Sequence, residues 1–235
     1  MSDSATQPIR IGIVGLGRAG WGMHCPELKG REDKFTIAAA CDPIDKRCEK
    51  MAEVYGCSTY SDINDLIADP EVELVDIATR SCDHFEHAKA ALRAGKTVFL
   101  EKPMTISHDQ AVKLKRAASR SDGELYVRHN RRFEPAFQHV HEIIASGLLG
   151  NVFEIKLRRG GYQRRDDWQT LKKCGGGQLL NWGPHIIDHS LRLLDSQPAA
   201  VWGELKRVAA VGDAEDYVKI LLRGRNGRLV DMEIS

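Results

Sequence analysis

The apolar run over residues 9–15 ends in Gly15-Leu16-Gly17-Arg18-Ala19-Gly20, and the pattern over residues 19–29 is compatible with a helix. A strand, a glycine-rich turn and a helix in that order leave few folds open. Gly15 permits the tight turn, Gly17 lets backbone approach a pyrophosphate, and Gly20 lets helix and strand pack closely. Arg18 and Ala19 lie inside the same turn, where a helix amino terminus presents N–H groups to phosphate. The second strand, Phe35–Cys41, runs directly into Asp42. A carboxylate about 20 residues past the glycines is placed to grip a ribose diol, and it would repel a 2′-phosphate. NAD is therefore the expected cofactor, with NADP kept open by the nearby Lys46 and Arg47.

Strand and helix patterns go on alternating. Residues 45–55 read as helix, 62–68 as a short helix and 74–78 as strand. Residues 84–93 form a helical pattern that Gly95 can stop. A strand over 97–100, a helix from a Ser107 cap to about residue 119 and a strand over 125–128 follow. This alternation predicts an α/β Rossmann domain over residues 1–129, with a parallel, doubly wound sheet covered by helices on both faces. The pattern then changes. A helix over 134–145, a strand over 152–159, the break Gly175-Gly176-Gly177 and a helix to residue 194 precede three β-like runs over 200–208, 216–222 and 228–234. The last two flank Gly224-Arg225-Asn226-Gly227, a good hairpin turn. An α+β domain over residues 130–235, with a mainly antiparallel open sheet, is predicted.

Composition narrows the partners. A net charge of +1 gives no global field that would draw in nucleic acid or a membrane surface. No apolar stretch approaches the length of a membrane span. The six cysteines are scattered without a CxxC pair, and the first eight residues read as a loose polar tail. Reduced thiols in a cytoplasmic protein are the expectation.

Glu101-Lys102-Pro103 closes the strand over 97–100, at the end of the sheet where open α/β proteins bind ligands. Its Lys-Pro bond can turn cis far more cheaply than an ordinary peptide. Further segments stand out: residues 79–84, Asn130-Arg131-Arg132-Phe133 with Pro135, and GGGQLLNWGPHIID over 175–188. With the glycine fingerprint and Asp42, they make the chain resemble the Gfo/Idh/MocA oxidoreductases, which include glucose-fructose oxidoreductase and inositol dehydrogenases. The resemblance implies NAD(P)-dependent hydride transfer to or from a secondary alcohol of a sugar, cyclitol or related polyol. It places Thr79 and Glu101 beside the cofactor, lets Lys102 reach both nicotinamide and substrate hydroxyl, and makes His185 the acid/base. A homo-oligomer joined through the second-domain sheet is expected with it. The chain stops at Ser235, so this second domain is expected to be shorter than the family norm. A non-catalytic dinucleotide-binding regulator, or a truncated and weakly active member, stands as the alternative.

The residues themselves fit that chemistry. Histidine is the side chain whose charge changes nearest neutral pH. Asn181 precedes His185 by one helical turn, so the two can share a face. Many family members carry an aspartate there. An amide can orient a hydroxyl, but it cannot raise the imidazole pKa by charge, so Asn181 is expected to position substrate beside a less basic His185. Asp188 could partly substitute for the missing carboxylate. His185-Ile186-Ile187-Asp188-His189 invites a metal reading, but no third ligand segment accompanies it, and no metal is expected. Tyr162 and Trp168 could stack on a sugar ring, with a core role equally open.

Overall fold

The computed structural model describes residues 7–161 and 163–235. Tyr162 and most of the expected amino-terminal tail lie outside the described residues. The chain divides into two compact units between Arg128 and His129.

In the first unit, β1 (Ile9–Val14) leads through the glycine turn into a π-helical turn (Gly20–His24) and the short α1 (Cys25–Leu28). Next come β2 (Phe35–Cys41), α2 (Asp45–Tyr55), β3 (Ser58–Tyr60), α3 (Ile63–Ala68), β4 (Leu74–Ile77), α4 (His84–Arg93), β5 (Thr97–Glu101), α5 (His108–Ala118) and β6 (Leu125–Arg128). The six strands are all parallel, in the order β3-β2-β1-β4-β5-β6. That order reverses direction between β1 and β4, the switch point where such sheets bind ligands.

The two-residue alternation of β1 separates the core into halves. Ile11 and Ile13 point into one cluster with Ile37, Met51 and Cys57, while Val14 joins Leu66, Ile77, Leu92 and Leu100 on the other face. Both faces are covered, which is why these strands read as nearly unbroken apolar runs. Truncating a fully buried member such as Leu100 would cost about 2–5 kcal/mol. Local signals set the helix ends. Ser107 and Asp62 accept the backbone N–H of Gln110 and Asn64, and Gly56 ends α2 in the left-handed region. The three-residue β3 is short enough to have left no sequence signal.

The second unit contains α6 (Pro135–Ala145), β7 (Glu154–Arg159), α7 (Gln178–Asn181), α8 (Gly183–Leu194), β8 (Pro198–Lys206), β9 (Tyr217–Gly224) and β10 (Leu229–Ile234). Its sheet has the order β7-β10-β9-β8. Two pairings are antiparallel and β10–β7 is parallel, so the sheet is mixed. The apolar stripe of α8 (Ile186, Leu194) packs with Val218, Leu222, Val230 and Met232 from the sheet. The hairpin turn locks the far end of that helix. Arg228 and Asn226 donate to the carbonyls of Leu193 and Leu194 at 2.6 and 3.0 Å, satisfying groups that a helix end leaves open.

The sequence predicts one helix through Asn181 and His185, and here the structure differs. Trp182 separates α7 from α8. Pro184 has no N–H to continue the ladder, although Trp182 keeps right-handed helical angles. Asn181 therefore ends one helix and His185 lies in the first turn of the next.

Candidate active site

The glycine turn is built at the switch point. Gly15 has φ +90°, and a Cβ there would come within 2.8 Å of the Ala78 carbonyl at the end of β4. A Cβ on Gly20 would stand 2.1 Å from the Gly15 carbonyl oxygen. Gly17 is different: a Cβ there would meet nothing within 4 Å. Its bare face is the open cradle a pyrophosphate needs, so the residues present fit a dinucleotide. Ala19 opens the π-helical turn, and the His24 N–H reaches back to the Ala19 carbonyl at 2.9 Å. The Arg18 side chain is exposed and approaches the Met23 sulfur at 3.6 Å.

Asp42 is buried. One carboxylate oxygen accepts the Leu16 N–H at 2.8 Å, the other accepts Ile44 N–H at 3.0 Å, and Arg47 pairs with the group at 3.0 Å. Asp42 thus ties the glycine turn to the end of β2 and carries a guanidinium on its outer side. A carboxylate neutralised in this way repels a 2′-phosphate less than the sequence implied, and an arginine at this place is the usual partner of such a phosphate.

At the end of β5 the Lys102–Pro103 bond is cis. Two buried histidines flank this turn. His84 lies between two carbonyl oxygens, with Nδ1 2.7 Å from Pro103 O and Nε2 3.2 Å from Thr79 O. Carbonyls only accept, so a neutral imidazole can serve one of them, and burial pushes the His84 pKa down. The Thr79 hydroxyl meets His87 Nδ1 at 3.2 Å.

His24 lies between two carboxylates, with Nδ1 2.8 Å from Asp76 and Nε2 3.2 Å from Glu101. Burial opposes its charge, but the hydrogen bonds to Asp76 and Glu101 prevail and raise its pKa to about 9. Burial likewise opposes charge on Glu101, yet the His24 hydrogen bond and the Arg128 guanidinium hold it down to about 2. Burial is the main reason that Asp76 is raised.

A pH profile of stability follows. His24 is raised above its ordinary 6.5, so its contribution is complete below pH 6.5 and is lost as pH rises through about 9. His84 and His87 are lowered, so their burial costs stability as pH falls below 6.5. Urea unfolding of the first unit should show a maximum near neutrality and a loss of up to about 3 kcal/mol by pH 9. The buried thiols of Cys25 and Cys41, pushed up to about 11 and 12, add their own loss above that. A profile flat from pH 6.5 to 9 would contradict this assignment.

In the second unit, His185 is buried and meets the edge of the Trp182 ring, centroids 5.6 Å apart. Arg159 and Arg131 stack on that indole at 3.2 and 4.3 Å. The Asn181 amide donates to Gln169 Oε1 at 3.2 Å, in a small cleft shared with Gln163, Arg165 and Glu215.

Asp188 is engaged by Arg132, which grips both its oxygens at 2.6 and 2.8 Å. His189 donates to the Arg131 carbonyl at 3.0 Å and stacks on Phe137, so Asp188 and His189 spend their polar groups on docking residues 130–137 against α8. The glycine triplet serves internal packing. A Cβ on Gly176 or Gly177 would collide with Gln169 O or the Glu215 carboxylate, and that carboxylate accepts the Leu179 N–H at 2.9 Å. Among the described residues, no three His, Cys, Asp or Glu side chains are grouped to hold a metal ion, and no helix is long and apolar enough to cross a membrane.

Sequence reasoning missed His24, His84, Asp76 and Arg128. The available signal was Asp76 itself, a carboxylate inside the apolar strand Leu74–Ile77, because a buried charge demands a partner.

A doubly wound parallel sheet with a glycine turn at its switch point defines a dinucleotide-binding Rossmann protein with a second α+β unit. Residues 9–129 match the model of the oxidoreductase family with an NAD-binding Rossmann fold, and residues 137–235 match that family's carboxyl-terminal domain. The chain belongs to the Gfo/Idh/MocA oxidoreductase family. It is 30% identical to the scyllo-inositol 2-dehydrogenase (NADP(+)) of Bacillus subtilis, over 91% of this chain and 59% of that protein. It is 29% identical to an inositol 2-dehydrogenase of Rhizobium meliloti, over 94% of this chain and 66% of the relative. Among solved structures, an NAD-binding protein from Listeria innocua superposes with a TM-score of 0.88 at 29% identity, covering 97% of this chain and 66% of that one. The chain thus spans about three fifths of the length of the first curated relative.

Proposed function

We propose that this chain is the NAD(P)-dependent part of an oxidoreductase acting on a secondary alcohol of a sugar, cyclitol or related polyol. The observation that carries this reading is the open face of Gly17 at the carboxyl end of β1, in the same parallel sheet whose β5 ends in Glu101-Lys102-Pro103. Gly15, Gly17, Arg18, Ala19 and Gly20 form the phosphate turn, Asp42 with Arg47 addresses the ribose, and Thr79 and Glu101 line the nicotinamide end. A bound nicotinamide supplies the hydride acceptor or donor.

The chain's own residues handle the proton and the geometry. The Lys102 ammonium steadies the oxygen of the reacting carbinol as negative charge develops on it. His185 takes or returns the hydroxyl proton, and Asn181 orients a neighbouring hydroxyl. Exposed Trp202 and Leu221, side by side in register on the second sheet, support association of copies through that sheet.

Fluorescence titration with NADH and NADPH tests the cofactor, and a polyol panel that includes myo-inositol and scyllo-inositol, read as NAD reduction, tests the chemistry. NADH is expected to bind more tightly, with measurable NADPH affinity. Arg47→Ala should weaken NADPH by about tenfold while NADH changes little, since it removes a charge-assisted contact available only to the 2′-phosphate. Binding of neither cofactor sinks the reading. Binding without turnover on any polyol reduces it to a non-catalytic dinucleotide-binding protein.

A further inference from the structure

We propose that His24 is a positioning residue: its imidazolium, shared between Asp76 and Glu101, aims the Glu101 carboxylate so that it holds the Lys102 backbone amide. The proposal deepens the reading of Lys102 as a reactive group and rests on it. His24, Asp76, Glu101 and Arg128 are all buried at the carboxyl end of the sheet, on the π-helical turn, β4, β5 and β6. Glu101 divides its labour between its oxygens. Oε1 accepts from His24 Nε2 at 3.2 Å and from Arg128 Nη1 at 2.8 Å, while Oε2 accepts the Lys102 N–H at 2.9 Å. The two cations fix one oxygen, and the other is thereby pointed at the residue on which the chemistry depends.

The charges explain why a histidine is needed. Arg128 pairs with Glu101 and is felt by Asp76 only through its charge, while its other amino group is turned outward to Glu27 on α1. Among the described residues, the Asp76 carboxylate has side-chain hydrogen bonds only from His24, at 2.9 and 2.8 Å. With a charged imidazole, His24, Arg128, Asp76 and Glu101 sum to zero, and both ring nitrogens donate. With a neutral one, a ring lone pair faces a carboxylate unless that carboxylate takes up the proton. The Phe99 ring centroid lies 6.2 Å from that of the imidazole, and Lys102 adds its own charge next to Glu101. A half-satisfied buried network of this kind is costly. Losing His24 therefore leaves Asp76 without a cation, draws Arg128 toward it and releases Glu101 from the turn. The π-helical register, in which His24 N–H bonds Ala19 O, belongs to a class of distortion that recurs at functional sites.

The test needs neither cofactor nor substrate. In protein labelled with 15N-histidine, both His24 ring nitrogens are expected to carry protons at pH 8. A ring with one bare nitrogen facing an ionised Glu101 overturns the proposal. Amide hydrogen exchange then reads the turn directly. His24→Gln should lower protection of the Lys102 amide by about tenfold or more, the cost of freeing one charge-assisted buried contact. The Val98 amide, bonded to Glu124 O at 2.7 Å within the sheet, should keep its protection.

The double variant His24→Gln with Asp76→Asn removes one charge of each sign and should restore the Lys102 amide, because Arg128 is again left to Glu101. That variant also carries the test if His24→Gln alone fails to fold. Unchanged Lys102 protection in His24→Gln, or no recovery in the double variant, overturns the proposal. Failure of NADH binding or polyol turnover would leave these readouts intact, so the two readings fail separately.

Discussion

Gly20→Ala is expected to abolish folding of the first unit, whereas Gly17→Ala should fold normally and bind the cofactor more weakly. The two glycines sit three residues apart in one turn, yet their surroundings are opposite. A Cβ on Gly20 would be 2.1 Å from the Gly15 carbonyl oxygen and 3.4 Å from Ile13, so backbone would have to move at the switch point itself. Overpacking against a carbonyl that cannot yield belongs among the rare substitutions costing more than about 4 kcal/mol. Nothing lies within 4 Å of a Cβ on Gly17. The added methyl stands only where a pyrophosphate would approach, and stability should change by about 0.5 kcal/mol or less. Forfeiting charge-assisted hydrogen bonds from the turn should weaken NADH by about 10–100-fold. Thermal melts and NADH titration of both variants read this. A stable Gly20→Ala, or a Gly17→Ala that binds like the parent, would refute the assignment of the turn.

Lys102→Met should lower turnover on the best polyol by about 10²–10⁴-fold, the span for losing a positioned proton-transfer or charge-stabilising group. Methionine keeps the length of the apolar stem and removes the charge, so the loss reports the ammonium. NADH affinity should fall by far less, because the phosphate turn and Asp42 are untouched. The Glu101 side chain bonds the Lys102 backbone, which methionine also possesses, so the turn itself should survive. Turnover within about tenfold of the parent would remove Lys102 from the mechanism.

Much of the first unit was legible in the sequence because its signals are local. Strand Phe35–Cys41 and helices Asp45–Tyr55 and His84–Arg93 follow from apolar runs and periodicity. The Ser107 cap follows from a side chain that reaches its own helix. Gly15, Gly17 and Gly20 were recognisable because turn geometry depends on residues adjacent in the chain. The break at Trp182 went unread even though Pro184 marks it, because the apolar stripe continues on both sides. The settings of Asp188 and the glycine triplet were not legible for another reason. Their partners, Arg132 and Glu215, are distant in sequence, and no periodicity connects them.

The sequence by itself determined the sheet, its helices and the place of the glycine turn, since each rests on steric and apolar patterns within a few residues. Only the tertiary structure decided which polar groups stand together. His24, Asp76, Glu101 and Arg128 come from four separate elements and meet because the parallel sheet brings its carboxyl ends into one layer. Whether a buried ionisable group is charged depends on those neighbours and on the water it has lost, and neither is written in the order of residues.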